Sequence, residues 1–390
     1  MPSLCIDPFQ RLTVHSFLSL SRGQTRNSGM KVSYLLFSIF LAISGRAAEP
    51  KKKLIEFGWD EPSTAFLRQH IDEMKRTPFD GCVFHADYAG TNGSKGSFTW
   101  QAWGKRAFQM GELKQAMEDL RAIKFGNFRE NFLRFNTTPA DVDWFDDFGA
   151  IRTNAFVAAR FAREARCPGL LFDIEQYNGM LFDYRKQREA ASKSWEVYAA
   201  QARRRGAEVM DAFQEGYPGL KIFLTFGYSL PWQESGAGKK NLAECHYGLL
   251  APFLDGMLER ARGKTRLIDG HELSYGYKEP ERFKTAYQTM KKGLLPIVRD
   301  AGPYQKFFEA GFGIWLDENW RKLGWSVEEP QKNYFTPAGF ETSVRAALET
   351  ADEYVWIYSE TPRWWTEQGG PAKLPQVYQE ALRRAHGSPK

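Results

Sequence analysis

Cysteine and histidine are scarce in this chain, with four cysteines and six histidines in 390 residues. Cys5 falls in the leader described below, so Cys82, Cys167 and Cys245 remain. Three thiols form at most one bridge, which excludes a disulfide framework, and no pair has the spacing of zinc ligands. Cys82 falls inside an expected strand, so buried free thiols are the expected state. A phosphate-cradling glycine loop followed by Lys-Ser/Thr is also missing. No dinucleotide fingerprint follows the first expected strand, and the 90–96 segment lies in a long loop without that context. No cofactor is implied. No low-complexity linker and no fixed-period repeat divides the chain.

An excess of one charge is absent too, once the start of the chain is set aside. Residues 1–29 have no sustained period, and Met30-Lys31 then opens a run from Val32 to Ser44 without any charge. A positive start, an apolar centre too short to span a bilayer and a small-residue exit at Gly45-Arg46-Ala47-Ala48 predict a signal peptide over 30–48. On this reading 1–29 is a mis-called extension, and the protein is secreted or periplasmic with no membrane attachment after cleavage. Without the leader 48 Lys and Arg face 46 Asp and Glu, and the net charge falls from +6 to +2. A nucleic-acid partner therefore has no support from charge.

Residues 49–390 show a repeated strand-then-helix rhythm. The strands are expected at 54–57, 82–85, 132–135, 169–172, 220–226, 265–269, 311–315 and 354–358. Helices are expected at about 63–76, 111–124, 150–166, 192–215, 249–262, 280–299, 340–350 and 375–386. Eight such units predict an α/β protein of one domain, a (β/α)8 TIM barrel, because alternating βα segments demand parallel pairing and right-handed crossovers. In that fold the active site lies at the carboxyl ends of the strands.

The fourth strand ends in the stretch that the rest is organised around, Gly169 to Tyr177, reading GLLFDIEQY. Asp173 and Glu175 sit where the buried strand stops, and period-two alternation points both to one side. Like charges crowded in a partly dry site raise at least one pKa, as a general acid requires. The other strand ends add Trp59, Asp60, Glu61, His85, Asp87, Tyr88, Asn136, Tyr177, Tyr228, Asp269, His271, Glu272, Asp317, Glu318, Tyr358 and Glu360, and the loops add Trp100, Trp103, Trp232, Trp320, Trp364 and Trp365. Trp315 and Trp356, inside strands, read as plain core. Aromatic faces stack on the C–H faces of sugar rings while carboxylates, amides and His bond their hydroxyls, so an oligo- or polysaccharide is the expected partner. Glycosidic cleavage needs a carboxylic acid and a second carboxylate on opposite sides of the sugar. Glu175 is the acid/base candidate; its partner is sought among Glu318, Asp317, Glu272 and Glu360, with Asp173 assisting.

This layout resembles (β/α)8 glycoside hydrolases as a group. In the large clan with catalytic glutamates after strands four and seven, Glu175 and Glu318 are the matching positions, although Ile174 stands where that clan usually has Asn. Asp173-Ile-Glu175 also resembles the end of the chitinase-type motif D-x-D-x-E, with Leu171 in place of the first Asp. The resemblance implies a barrel glycosidase and names no single family. Two other readings stay open. One is a metal-dependent barrel hydrolase using His85, Asp87, Asp173, Asp269 and His271. The other is a barrel that binds glycans without cutting them.

Overall fold

A computed structural model describes residues 52–59, 61–91, 93–365 and 374–387. The expected leader and Asp60 lie outside the described residues. Nine parallel strands form the main sheet: β1 (Lys53–Glu56), β2 (Gly81–Phe84), β5 (Phe132–Asn136), β6 (Gly169–Asp173), β7 (Lys221–Leu224), β8 (Arg266–Asp269), β9 (Phe308–Ala310), β10 (Phe312–Trp315) and β11 (Tyr354–Tyr358). Two short strands, β3 (Asp87–Ala89) and β4 (Lys95–Ser97), form an antiparallel hairpin in the loop after β2.

The ring has eight staves, because β9 and β10 are one strand interrupted at Gly311. Its first half pairs with β8 and its second half with β11, while β11 also pairs with β1. Gly311 N–H donates to the Asp269 carbonyl at 2.7 Å, and Asp352 N–H donates to the Ala310 carbonyl at 2.8 Å. The break is filled from an adjacent turn: Trp315 N–H donates to the Tyr275 carbonyl at 3.2 Å, and Ser274 Oγ donates to the Gly313 carbonyl at 2.8 Å. The strands form one closed (β/α)8 barrel domain.

Alternation along each strand sorts the side chains into two layers. Ile55, Phe57, Val83, Phe132, Leu171, Phe223, Ile268, Tyr354 and Trp356 fill the barrel interior. The intervening residues, such as Leu54, Phe84, Leu133, Leu170 and Leu267, pack against the outer helices. Gly313 faces inward, and a Cβ there would lie 2.7–2.9 Å from the Trp356 indole, so the bulk of Trp356 requires its absence.

The helices follow local signals. Ser63 caps the first helix, Thr64–Met74, by accepting from Phe66 N–H at 3.1 Å. Thr336 caps Pro337–Thr350 by accepting from Gly339 N–H, so this helix starts three residues before its expected position. The helix expected to run from Pro280 to about Arg299 stops at Gln288 and continues as a π turn, Thr289–Gly293, and a 3-10 turn, Leu295–Ile297. Among the described residues, no helix is long and apolar enough to cross a membrane. Cys82, Cys167 and Cys245 are buried free thiols.

Candidate active site

The inward face of β5 reads Phe132, Arg134, Asn136, and that of β6 reads Leu171, Asp173, so Arg134 and Asp173 meet above the apolar interior. Arg134 Nη2 and Nε donate to Asp173 Oδ2 at 2.5 and 3.1 Å, and its Nη1 donates to Glu61 Oε2 at 2.6 Å. The guanidinium also lies over the rings of Phe57 and Trp100, 5.1 and 4.9 Å from their centroids. Burial alone would raise the Glu61 pKa, yet Arg134 and His85 hold it below the usual range. His85 Nδ1 stands 3.2 Å from Glu61 Oε1. A buried cation is thus held between two carboxylates at the floor of the mouth.

Asp173 then acts as a bracket. Its Oδ1 accepts from Glu175 N–H at 3.1 Å, and its Oδ2 accepts from the Tyr177 hydroxyl at 3.0 Å. Thr137 Oγ1 donates to the Glu175 carbonyl at 3.0 Å. The Glu175 backbone is fixed on both sides, and its side chain turns to Glu272.

Glu175 and Glu272 are neighbouring buried carboxyls whose charges act on each other. Carboxyls crowded in a dry site hold a proton more readily than either would alone. Burial, and then the negative charge of Asp173, push Glu175 up to about 7. Burial and Glu175 push Glu272 well above the ordinary carboxylate range. Tyr275 Oη donates to Glu272 Oε1 at 2.7 Å. The Tyr275 ring stacks on Tyr358 at 5.5 Å and lies 5.8 Å from Trp315, which makes an aromatic wall beside the dyad. On the other side Trp100 packs edge-on to Tyr177 at 5.3 Å. Trp59, Trp100 and Tyr177 remain 63%, 37% and 40% exposed, which is unusual for aromatic residues and leaves them open at the rim.

The remaining candidates divide by position. Among the described residues Glu318 makes no hydrogen bond or ion pair with either dyad carboxyl; its Cγ lies near Gly276, and burial followed by Asp317 and Glu360 pushes it up to about 7. Asp317 accepts from Trp315 Nε1, Glu360 N–H and Thr361 N–H, and thereby ties two rim loops together. Glu360 accepts from Trp320 Nε1, Arg321 Nη2 and Tyr358 Oη. Asn136 is buried beside Asp173 in the β5–β6 register, and its amide has no hydrogen-bond partner among the described residues.

Four candidates lie away from the dyad. Tyr228 is wholly buried under the helices, with its hydroxyl on Asp255 Oδ1 at 2.8 Å. His271 takes a left-handed turn, φ 46°, that sends its ring outward against Phe312 and Tyr277. Asp87 is an exposed residue of the β3–β4 hairpin. Asp269 also faces outward, on Ser229 Oγ. The five residues of the metal reading are therefore not gathered, and among the described residues no group of three or more His, Cys, Asp or Glu is placed to hold an ion.

Two residues escaped the sequence reading. Arg134 was hidden in an apolar strand, but its spacing of two from Phe132 and Asn136 already put a charge on the inward face. Tyr275 lies three residues beyond Glu272, at the far end of a 3-10 turn whose geometry no sequence pattern marks.

No protein-family model matches the chain, and no curated protein does. Among solved structures, it is similar to a GH5-4 broad-specificity endoglucanase from Clostridium longisporum, at 9% identity over 82% of this chain and 85% of that one, with a TM-score of 0.45. It is also similar to a glycoside hydrolase family 5 enzyme from Prevotella bryantii in complex with a xyloglucan tetradecasaccharide, at 12% identity over 84% and 88%, with a TM-score of 0.42. A third likeness is to an α-amylase from Geobacillus thermoleovorans complexed with acarbose, at 10% identity over 86% and 79%, with a TM-score of 0.39. The residue roles below rest on the chain's own geometry.

Proposed function

We propose that this chain hydrolyses glycosidic bonds in an oligo- or polysaccharide, with Glu175 and Glu272 as the reacting carboxyls. The observation that carries this reading is the pairing of two buried carboxyls, both pushed above the usual carboxylate range, after β6 and β8. Asp173 opposes ionisation of Glu175, and a sugar entering between the carboxyls draws the proton of the pair onto Glu175 for the leaving oxygen. The Tyr275 hydroxyl stabilises negative charge on Glu272 and suits it to attack the anomeric carbon. Departure of the protonated alcohol leaves a glycosyl ester on Glu272. Glu175, now ionised, takes a proton from the water that cleaves the ester. The open rings of Trp59, Trp100 and Tyr177 would seat neighbouring sugar units. Export through the 30–48 leader belongs to the same proposal, since a polysaccharide is met outside the cell.

The test is reducing-end release from a polysaccharide panel by the chain from Glu49, beside Glu175→Gln and Glu272→Gln. Each variant is expected to lose about 10³-fold or more in turnover, with glycan affinity retained, and azide is expected to restore Glu272→Gly turnover with inverted product. A parent that binds glycans without releasing any new reducing end would sink the hydrolase reading and leave a binder.

A further inference from the structure

A cavity of about 730 Å³ opens at the end of the barrel opposite the mouth. Its lining comes from the segments that lead into β5 and β6, so it lies at the amino ends of those strands. One side is the last turn of the helix Lys114–Ala122 with the loop 123–131, and the other is the end of the helix Gly149–Glu164 with Ala165, Arg166 and Cys167. Leu120, Ile123, Phe125 and Ala165 give it apolar walls. Burial pushes the Cys167 thiol up to about 12, so it adds no charge.

The charged side chains around it are of one sign. Among the described residues Arg121, Lys124, Arg129 and Arg166 line it against the single carboxylate of Glu164, in a chain whose net charge from Glu49 onward is only +2. That carboxylate is already committed: Glu164 accepts from Arg121 Nη2 at 3.2 Å and from Arg160 Nε at 2.9 Å. Glu130, beside Arg129 in the chain, is taken by Lys53 at 3.2 Å and by the Tyr354 hydroxyl at 2.7 Å. Lys124, Arg129 and Arg166 are exposed residues and make no ion pair among the described residues, so their charged ends are open to a ligand. The pull of a helix carboxyl end on cations fades within the last turn. It accounts for Arg121 and not for Arg129, which lies seven residues beyond Ala122. Arg166 is also held in a costly conformation. It has φ 61° at the position after a helix where glycine is usual, while Cys167 N–H donates to the Ala162 carbonyl at 2.9 Å.

We propose that this cavity binds a small organic anion with an apolar body, a phosphate monoester of a short alkyl or aryl group. Its charged end would meet Lys124, Arg129 and Arg166 at the rim, and its body would lie on Leu120, Ile123, Phe125 and Ala165. Three open cations exceed what one carboxylate neutralises, whereas a phosphate monoester carries close to two charges and offers three oxygens. Guanidinium forks bind such oxygens two at a time. The volume falls within the range of small-molecule sites. An uncharged sugar would leave the cations unused, and a bare phosphate would leave the apolar walls unused.

The experiment is isothermal titration of the full chain at pH 8 and low salt with octyl phosphate, inorganic phosphate, octanol and octyltrimethylammonium. Saturable binding of octyl phosphate is expected, about tenfold or more tighter than that of inorganic phosphate or octanol, with none of the cation. Added salt is expected to weaken it, because the cations are exposed. Arg166→Gly suits the left-handed position, so this variant is expected to unfold in urea no earlier than the parent and yet to bind octyl phosphate severalfold more weakly. Arg129→Ala is expected to weaken binding similarly with an unchanged circular dichroism spectrum. Octyl phosphate that fails to saturate, that binds no better than octanol or inorganic phosphate, or that binds equally well to the parent and to both variants would overturn the proposal. No turnover is read, so the outcome is independent of the hydrolase reading.

Discussion

Arg134 is the residue on which the mouth depends most. Its guanidinium joins Glu61, Asp173 and Tyr177, and Asp173 in turn positions the Glu175 backbone. Replacing it with Met leaves the buried Asp173 carboxylate without a cation and Glu61 with His85 alone. The expected loss is about 3–5 kcal/mol of stability, measured by urea unfolding at neutral pH. Glu318 offers the opposite case. It makes no hydrogen bond with the dyad, so Glu318→Gln is expected to stay within about tenfold of parental kcat while Glu175→Gln does not, a contrast that parallel initial rates decide. As pH rises through about 7, where Glu175 ionises, the pair still keeps one proton because Glu272 is pushed well above the ordinary carboxylate range, so activity that needs that proton should fall only on the alkaline side. A pH profile with a flat alkaline side beyond pH 9 would remove that proton from the mechanism.

Among the elements, the split strand 308–315 carries the tightest packing requirement. Gly313 admits the Trp356 indole, whose Nε1 donates to the Gly270 carbonyl at 2.8 Å inside the barrel. Gly313→Ala is expected to cost about 1–3 kcal/mol through overpacking, read as a lower thermal midpoint, with Trp356→Phe in the same chain recovering part of it. The elements themselves were largely legible in the sequence. All eight expected strands exist, because each is a short apolar run bounded by a turn signal, and each ends within two residues of the expected place. What the pattern could not convey was the direction of side chains beyond the last paired residue. Tyr228 and His271 follow β7 and β8 as Tyr177 follows β6, yet their chains turn outward. Strand periodicity stops where the ladder stops. The contact of Glu175 with Glu272 was hidden for the same reason, since it depends on a 3-10 turn and on the angular placement of the fourth and sixth strands.

For the whole molecule, the dyad is a source of instability that depends on pH. A carboxyl raised in the folded state from 4.5 to about 7 is protonated there when its unfolded counterpart is not. Stability is therefore lost as pH rises through that window and is unaffected by this group below it. Glu175→Gln, which cannot ionise, should be more stable than the parent at pH 8 by about 1–3 kcal/mol and equal to it at pH 4, as chemical denaturation at the two values will show. Fold and chemistry also meet at one place on the ring. The turn 272–275 holds Glu272, and its Ser274 and Tyr275 make the hydrogen bonds that β10 does not receive from β8. Under the proposed roles, Glu272 comes into register as this gap between staves is sealed. In refolding from denaturant, the Trp315 amide should gain protection from deuterium with the same time constant as the return of turnover, however early the rest of the sheet has formed.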